Sequence, residues 1–249
     1  MLDSKRILVT GASSGIGFAI AKELASNGAI VGLHHRRPYE DVAAIIEEIQ
    51  QISPASFSLQ AELTEPNAGH HLIDEFVARV GGIDGLVNNA GAVYDYGDFL
   101  TLSRDSWDKT FALNVTAPFE LMRGAWPFME KAKYGRIVNI SSGAVGYSGS
   151  LRSVHYVASK AALEAVGKTF AKDGVKHNIL VNTIRLGLMD TPMHTRTPGY
   201  TRTHLEARAA IVPLGRMGKP EEAAVWVRNL LSAEGDFMTG QIFALAGGD

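Results

Sequence analysis

The sequence predicts an α/β domain: a doubly wound parallel sheet of about seven strands, flanked by helices on both faces. Three observations carry this expectation. Short apolar runs alternate with helix-period stretches along the chain. The first run ends in a glycine cluster, Gly11, Gly15 and Gly17, that opens directly into a helix. No linker, low-complexity tract or obvious internal repeat divides the 249 residues, so Met1–Asp249 reads as one domain.

The elements follow in order. RILVTG is the first strand and GFAIAKELASNG its helix. AIVGLHH is the second strand, followed by a helix through YEDVAAIIEEIQQI, Tyr39–Ile52. SFSLQAEL and the helix AGHHLIDEFVARVG form the third pair. IDGLVNNAG and GRIVNISS are the fourth and fifth strands, separated by helical material around Trp107–Lys131. Val154–Phe170 contains several alanines and no proline, which favours a helix. ILVNTIRLG is the sixth strand. The irregular segment Leu188–Pro213 reads as a long insertion, and QIFALAGG closes the chain as an apolar edge strand that demands cover.

Hydrophobic residues make up 46% of the chain, ample for a core. Charged residues make up 20% and the net charge is −2, which gives no reason to expect nucleic acid or an anionic membrane as partner. The absence of cysteine excludes disulfides, thiolate catalysis and cysteine-ligated metal. No apolar run approaches the roughly 20 residues of a membrane span, and the start lacks the long apolar core of a signal peptide. A soluble, cytoplasmic protein is expected. His34-His35 and His70-His71 are adjacent pairs, which diverge on a helix, and no His-Glu-x-x-His pattern occurs. No metal site is expected.

The turn LVTGASSGIGFAI has the spacing Gly-x-x-x-Gly-x-Gly. Glycine lets backbone approach a ligand closely, and the helix start offers free N–H groups and a positive dipole end to a pyrophosphate. This points to a dinucleotide. Sites that prefer NAD often carry an acid at the end of the second strand. Here that strand ends in His34, His35, Arg36 and Arg37. Arginine can hold a 2′-phosphate that an acid would repel, so NADP(H) is favoured over NAD(H).

Tyr156 and Lys160 are four residues apart and share a helix face. A nearby ammonium stabilises phenolate and lowers the tyrosine pKa, making proton exchange feasible at neutral pH. On spacing alone, a half-buried tyrosine beside a solvated lysine is the other reading.

Taken together, TGASSGIG at Thr10–Gly17, NNAG at Asn88–Gly91, Asn114 in FALNVTAPF, NISS at Asn139–Ser142, YVASK at Tyr156–Lys160, VPLGRMGKPEE and TGQIFALAGG resemble the short-chain dehydrogenase/reductase family. The likeness is to its compact type, similar to 3-oxoacyl-[acyl-carrier-protein] reductase-like members, and covers nearly the whole chain. It implies a Rossmann-like sheet and a nicotinamide cofactor. It implies Tyr156 as general acid or base, Lys160 as the lysine that lowers its pKa and holds the nicotinamide ribose, and Ser142 as the hydroxyl that polarises the substrate carbonyl. Asn114 would fix a water linking Lys160 to solvent. Cofactor contacts implied are Gly11, Ser13, Ser14, Gly15, Ile16 and Gly17 in the turn, and Arg36 and Arg37 beyond the second strand. Near adenine they are Glu62, Leu63, Asn89, Ala90 and Gly91; near the nicotinamide they are Thr191 and Met193.

Two departures from the family pattern stand out. Ser142 to Tyr156 is one residue longer than the commonest spacing, which leaves Ser141 as the fallback for the substrate-facing serine. Leu186-Gly187 replaces the usual Pro-Gly, and leucine frees φ, so a less rigid turn is expected. The family likeness also makes residues 188–213 a substrate lid. There Arg196, Arg202 and Arg208 outnumber Glu206, a hint of an anionic substrate. Tyr94, Tyr96, Tyr147 and His155 are candidates for the pocket wall. A homotetramer is expected, with a dimer as the alternative. A working preference for NAD, and a non-catalytic NADPH-binding regulator, are the competing readings of function.

Overall fold

The structure, a computed structural model, describes residues 1–192 and 201–248. Met193, Arg196 and the middle of the expected lid lie outside the described residues, as does the side chain of Arg202. β1 (Arg6–Val9) leads through the glycine cluster into α1 (Gly15–Ser26). β2 (Ile30–His35), α2 (Ala43–Ile52), β3 (Phe57–Gln60), α3 (Ala68–Val80) and β4 (Gly85–Asn88) complete the first half. The second half holds α4 (Arg104–Phe111), α5 (Ala117–Ala132), β5 (Gly135–Ser142) and α6 (Val154–Gly174). β6 (Ile179–Leu186), α7 (Arg202–Ile211), α8 (Pro220–Leu231) and β7 (Ile242–Leu245) follow.

The strands form one seven-stranded sheet in the order β3-β2-β1-β4-β5-β6-β7, parallel throughout. The order reverses between β1 and β4, which opens a crevice at their carboxyl ends. Side-chain alternation along each strand explains how both faces are buried. Ile7, Val9, Val87 and Val138 pack one face against α1 and α8. Leu8, Leu86, Ile137 and Val181 pack the other against α3 and α5. Each fully buried side chain of this kind contributes about 1.5–3 kcal/mol relative to exposure, so strands apolar on both sides are what a sheet covered on both faces requires.

Three expectations change in detail. The helix expected over Tyr39–Ile52 is broken: a 3-10 turn at Tyr39–Asp41 precedes α2, because Val42 leaves helical dihedrals (φ −128°) and buries its side chain. The helical material around Trp107–Lys131 is split by a π-helical turn at Ala112–Thr116. The turn at Leu186 is not loosened by the missing proline. Leu186 instead extends β6, paired with Ser142 on one side and Leu245 on the other, and Gly187 continues the pairing with its N–H on the Leu245 carbonyl at 3.0 Å.

His34 pins the end of β2 to the glycine turn. Its Nδ1 accepts the Gly11 N–H at 3.1 Å, which leaves Nε2–H to donate to the Ala61 carbonyl at 3.1 Å. Burial pushes its pKa down to about 4, so the ring is neutral. The unfolded chain protonates this imidazole near pH 6.5, while the folded chain resists until about 4. Between those values the unfolded state binds more protons and stability falls as pH falls. The window spans roughly 2.5 pKa units, or about 3 kcal/mol. Urea unfolding from pH 7 to pH 4 should show this loss. His34→Gln should remove that component of the pH slope, and an unchanged slope in the variant would contradict the assignment.

Candidate active site

The glycine cluster forms a cradle. Gly11 and Gly15 adopt φ of +65° and +53°, the left-handed region that favours glycine. A Cβ at Gly17 would sit 2.1 Å from the Gly11 carbonyl oxygen, so only glycine fits where α1 begins. Ser14 is the N-cap of α1, yet its hydroxyl makes no cap bond and no acid occupies the first turn. The free N–H groups and the unopposed dipole end suit phosphate oxygens. Thr191 and Pro192 pack over the turn, each 3.5 Å from where a Gly15 Cβ would lie.

Across the crevice, Asn89 closes the cradle, its Nδ2 donating to the carbonyls of Thr10 at 2.8 Å and Gly11 at 3.3 Å. Thr10 was missed in the sequence. Its hydroxyl accepts the N–H groups of Asn89 and Ala90, both at 3.0 Å, and donates to the Val87 carbonyl at 3.1 Å. The Thr-Gly pair ending β1 was the available signal.

The two arginines part company. Arg36 is 68% exposed and its Nη1 stands 3.8 Å from Glu62. Arg37 folds back, with Nη2 donating to the Ser13 carbonyl at 3.0 Å. Glu62 turns its other oxygen to the N–H and hydroxyl of Thr64, at 3.2 and 2.9 Å. Leu63 beside it is buried.

The remaining site residues converge at the carboxyl ends of β4 and β5. Asn114 lies in the π-helical turn and is fully buried. It grips Ala92 twice, accepting its N–H at 3.1 Å and donating to its carbonyl at 2.9 Å, and donates to Ser159 at 3.0 Å. Ser159, a second residue missed in the sequence, passes its own hydroxyl proton to the Tyr156 carbonyl at 2.7 Å. A Cβ on Gly91 would lie 3.0 Å from both Asn114 Oδ1 and Lys160 Nζ, so glycine keeps open the space that those two groups face.

Lys160 is buried and donates to the Ile140 carbonyl at 2.9 Å. Burial lowers its pKa to about 8. The expected depression of the Tyr156 pKa is absent. Burial pushes the phenol above its ordinary value, a hydrogen bond with the Ser142 hydroxyl partly offsets this, and Tyr147 adds to the rise. The ammonium is turned to Ile140, 5.9 Å from the Tyr156 ring centre, so desolvation dominates.

Ser141 and Ser142 point to opposite faces. The Ser141 hydroxyl donates to Glu164 at 2.7 Å. Ser142 accepts the Ala144 N–H at 3.2 Å, which leaves its own proton to give away. Between Ser142 and Tyr156 the loop turns through Ser148 and Gly149, which both take positive φ. His155 is buried and bonds the Tyr94 carbonyl through Nε2, tying the loop after β4 to α6. Arg152 stacks on Tyr96, 4.8 Å from the ring centre. Among the described residues no group of three or more His, Asp or Glu side chains is placed to hold a metal ion, and no helix is long and apolar enough to cross a membrane.

Known proteins match this arrangement. A family model described as enoyl-(acyl carrier protein) reductase matches residues 11–248. The 3-oxoacyl-[acyl-carrier-protein] reductase of Thermotoga maritima is 34% identical over 247 residues, covering 99% of this chain and 98% of that one. Nodulation protein G of a Rhizobium species is 37% identical over 249 residues, covering 99% and 97%. The crystal structure of a 3-oxoacyl (acyl-carrier-protein) reductase from Agrobacterium tumefaciens with NADP bound superposes with a TM-score of 0.92 at 32% identity, covering 100% of this chain and 95% of that one. With these likenesses over nearly its full length, the chain belongs to the short-chain dehydrogenase/reductase family, whose oxidoreductases act on CH–OH or carbonyl groups with a nicotinamide dinucleotide.

Proposed function

We propose that this enzyme is an NADP(H)-dependent carbonyl reductase, reversible as an alcohol dehydrogenase, with Tyr156 as its general acid. The observation that carries this reading is a buried phenol hydrogen-bonded to the Ser142 hydroxyl, on the helix that also bears Lys160. The bound dinucleotide would supply hydride to the carbonyl carbon. Tyr156, held protonated by burial, then gives its proton to the carbonyl oxygen. Ser142 hydrogen-bonds that oxygen as negative charge builds on it. Lys160 serves the nicotinamide ribose, and Asn114 holds the path by which a proton returns. Glycines 11, 15 and 17 admit the pyrophosphate to the start of α1.

Exposed Arg36 supports the choice of NADP(H) over NAD(H), as do the relatives crystallised with NADP and NADPH. Arg37 braces the turn through Ser13 and contributes less to discrimination. Among carbonyl compounds, 3-oxoacyl thioesters stand first because several relatives are named for that substrate. Leu188, Leu205 and Val212 pack together and would anchor the described ends of the expected lid near the exit of β6. The protein works in the cytoplasm as a homotetramer. The aromatic ridge of Phe119, Trp126 and Phe170 on α5 and α6, and exposed Trp226 and Phe237 at the far edge, support the assembly. Light scattering should give four times the chain mass, and a monomer would rule it out.

Tyr156→Phe should lower kcat for reduction by about 10²–10⁴-fold while the NADPH dissociation constant stays within about threefold. Near-normal turnover would refute the acid assignment. Arg36→Ala should lower kcat/KM with NADPH about 10- to 100-fold, as expected for lost charge-assisted bonds, and leave NADH almost unaffected. Equal losses with both cofactors would contradict Arg36 as the contact to the 2′-phosphate, and a higher kcat/KM with NADH in the native protein would make NAD the working partner. NADPH binding to the free enzyme should weaken as pH rises through about 8, where Lys160 loses its proton. Isothermal titration should show that dependence flattened in Lys160→Met.

A further inference from the structure

We propose that Glu164 is a positioning residue, a buried carboxylate that fixes where Ser142 stands relative to Tyr156. The proposal rests on the function given above for those two residues. Glu164 is 5% exposed. Its Oε1 accepts the Ser141 hydroxyl and Arg185 Nε, both at 2.7 Å, and its Oε2 accepts Arg185 Nη2 at 2.7 Å. Ser141 and Arg185 are register partners on β5 and β6. One carboxylate therefore joins the ends of two strands to α6.

The placement of these contacts is what gives them a role. Lys160 holds the Ile140 carbonyl, and Glu164, one helical turn later, holds the Ser141 hydroxyl. Two successive turns of α6 thus grip two successive residues of β5. Ser142 comes next, on the opposite face, with its hydroxyl at Tyr156. The same helix carries Tyr156, so the network sets the distance between the two groups that meet the carbonyl oxygen. Arg185 immediately precedes Leu186, where the usual family turn would have proline. Its forked, bidentate pair clamps the strand end at that point. An ion pair with only its carboxylate buried, Arg185 being 29% exposed, is a poor source of stability compared with apolar packing. Its directional bonds are what a well-packed leucine would not supply.

The kinetic test compares Ser141→Ala and Glu164→Gln, each made in the native protein and in Ser142→Ala. Ser141→Ala removes only one hydroxyl and keeps the fold testable if Glu164→Gln does not. The expected result is a kcat about tenfold lower in the native background, with the NADPH dissociation constant unchanged and, in Ser141→Ala, Tm unchanged too. In Ser142→Ala the same change should cause no further loss, because there is no longer a hydroxyl to misplace. Undiminished kcat in Ser141→Ala, or an equal loss in both backgrounds, would overturn the proposal. A second readout needs no substrate: the ultraviolet titration of Tyr156, taken as the difference from Tyr156→Phe. Its midpoint should move upward in Ser141→Ala as the Ser142 bond weakens. If the native protein reduces no carbonyl compound, the proposed function fails; the titration then decides the positioning, and an unmoved midpoint overturns it.

Discussion

The bond from the Lys160 ammonium to the Ile140 carbonyl governs the site. It joins the one helix that carries both Tyr156 and Lys160 to the strand that carries Ser142. A helix and a strand have different rises and side-chain periods, so their functional groups coincide only where something fixes the relative translation. The buried ammonium does this because its alternative is an unpaired charge away from water, which is expensive. Asn114 and Gly91 then define the space beside it, one by gripping Ala92 and the other by lacking a side chain.

The sheet supplies the second constraint. Its order reverses between β1 and β4, so the glycine turn after β1 and the Asn89–Gly91 stretch after β4 face each other across the crevice. His34 and Thr10 lock those segments from beneath: a neutral imidazole accepts from Gly11, and a hydroxyl accepts from Asn89 and Ala90. Both are buried groups with their hydrogen bonds made. The cradle is therefore built in the protein itself, and little ordering is left for a ligand to impose.

Much of this was legible in the sequence because the signals are local. Alternating and helical periods mark the strands and helices, and glycine spacing marks the turn. β5 and the start of α6 fall at the expected residues. What escaped depends on contacts between distant residues or on geometry without a compositional signature. The π-helical turn at Ala112–Thr116 carries no proline or glycine to announce it; within it Asn114 reaches Ala92 and Ser159. Arg36 and Arg37 look alike in sequence, yet the Ser13 carbonyl takes one and leaves the other exposed. The adjacent serines were equally hard to separate until Glu164, 23 residues from Ser141, claimed that hydroxyl.

Desolvation acts on the tyrosine and lysine in opposite senses, and this bears on the direction of the chemistry. Burial penalises whichever form is charged, so it raises the phenol and lowers the ammonium to about 8. In water the two groups titrate close together, near 10 and 10.4. In this site the lysine gives up its proton first and the tyrosine keeps its own. A protonated phenol is the form that the acid role proposed for Tyr156 in carbonyl reduction requires. Oxidation of an alcohol requires phenolate, and that form gains only if positive charge is strengthened beside Tyr156. A dinucleotide phosphate or ribose close to Lys160 would stabilise the ammonium. On the proposed function, occupancy of the cradle and basicity of the phenol would be linked through this one buried side chain, Lys160.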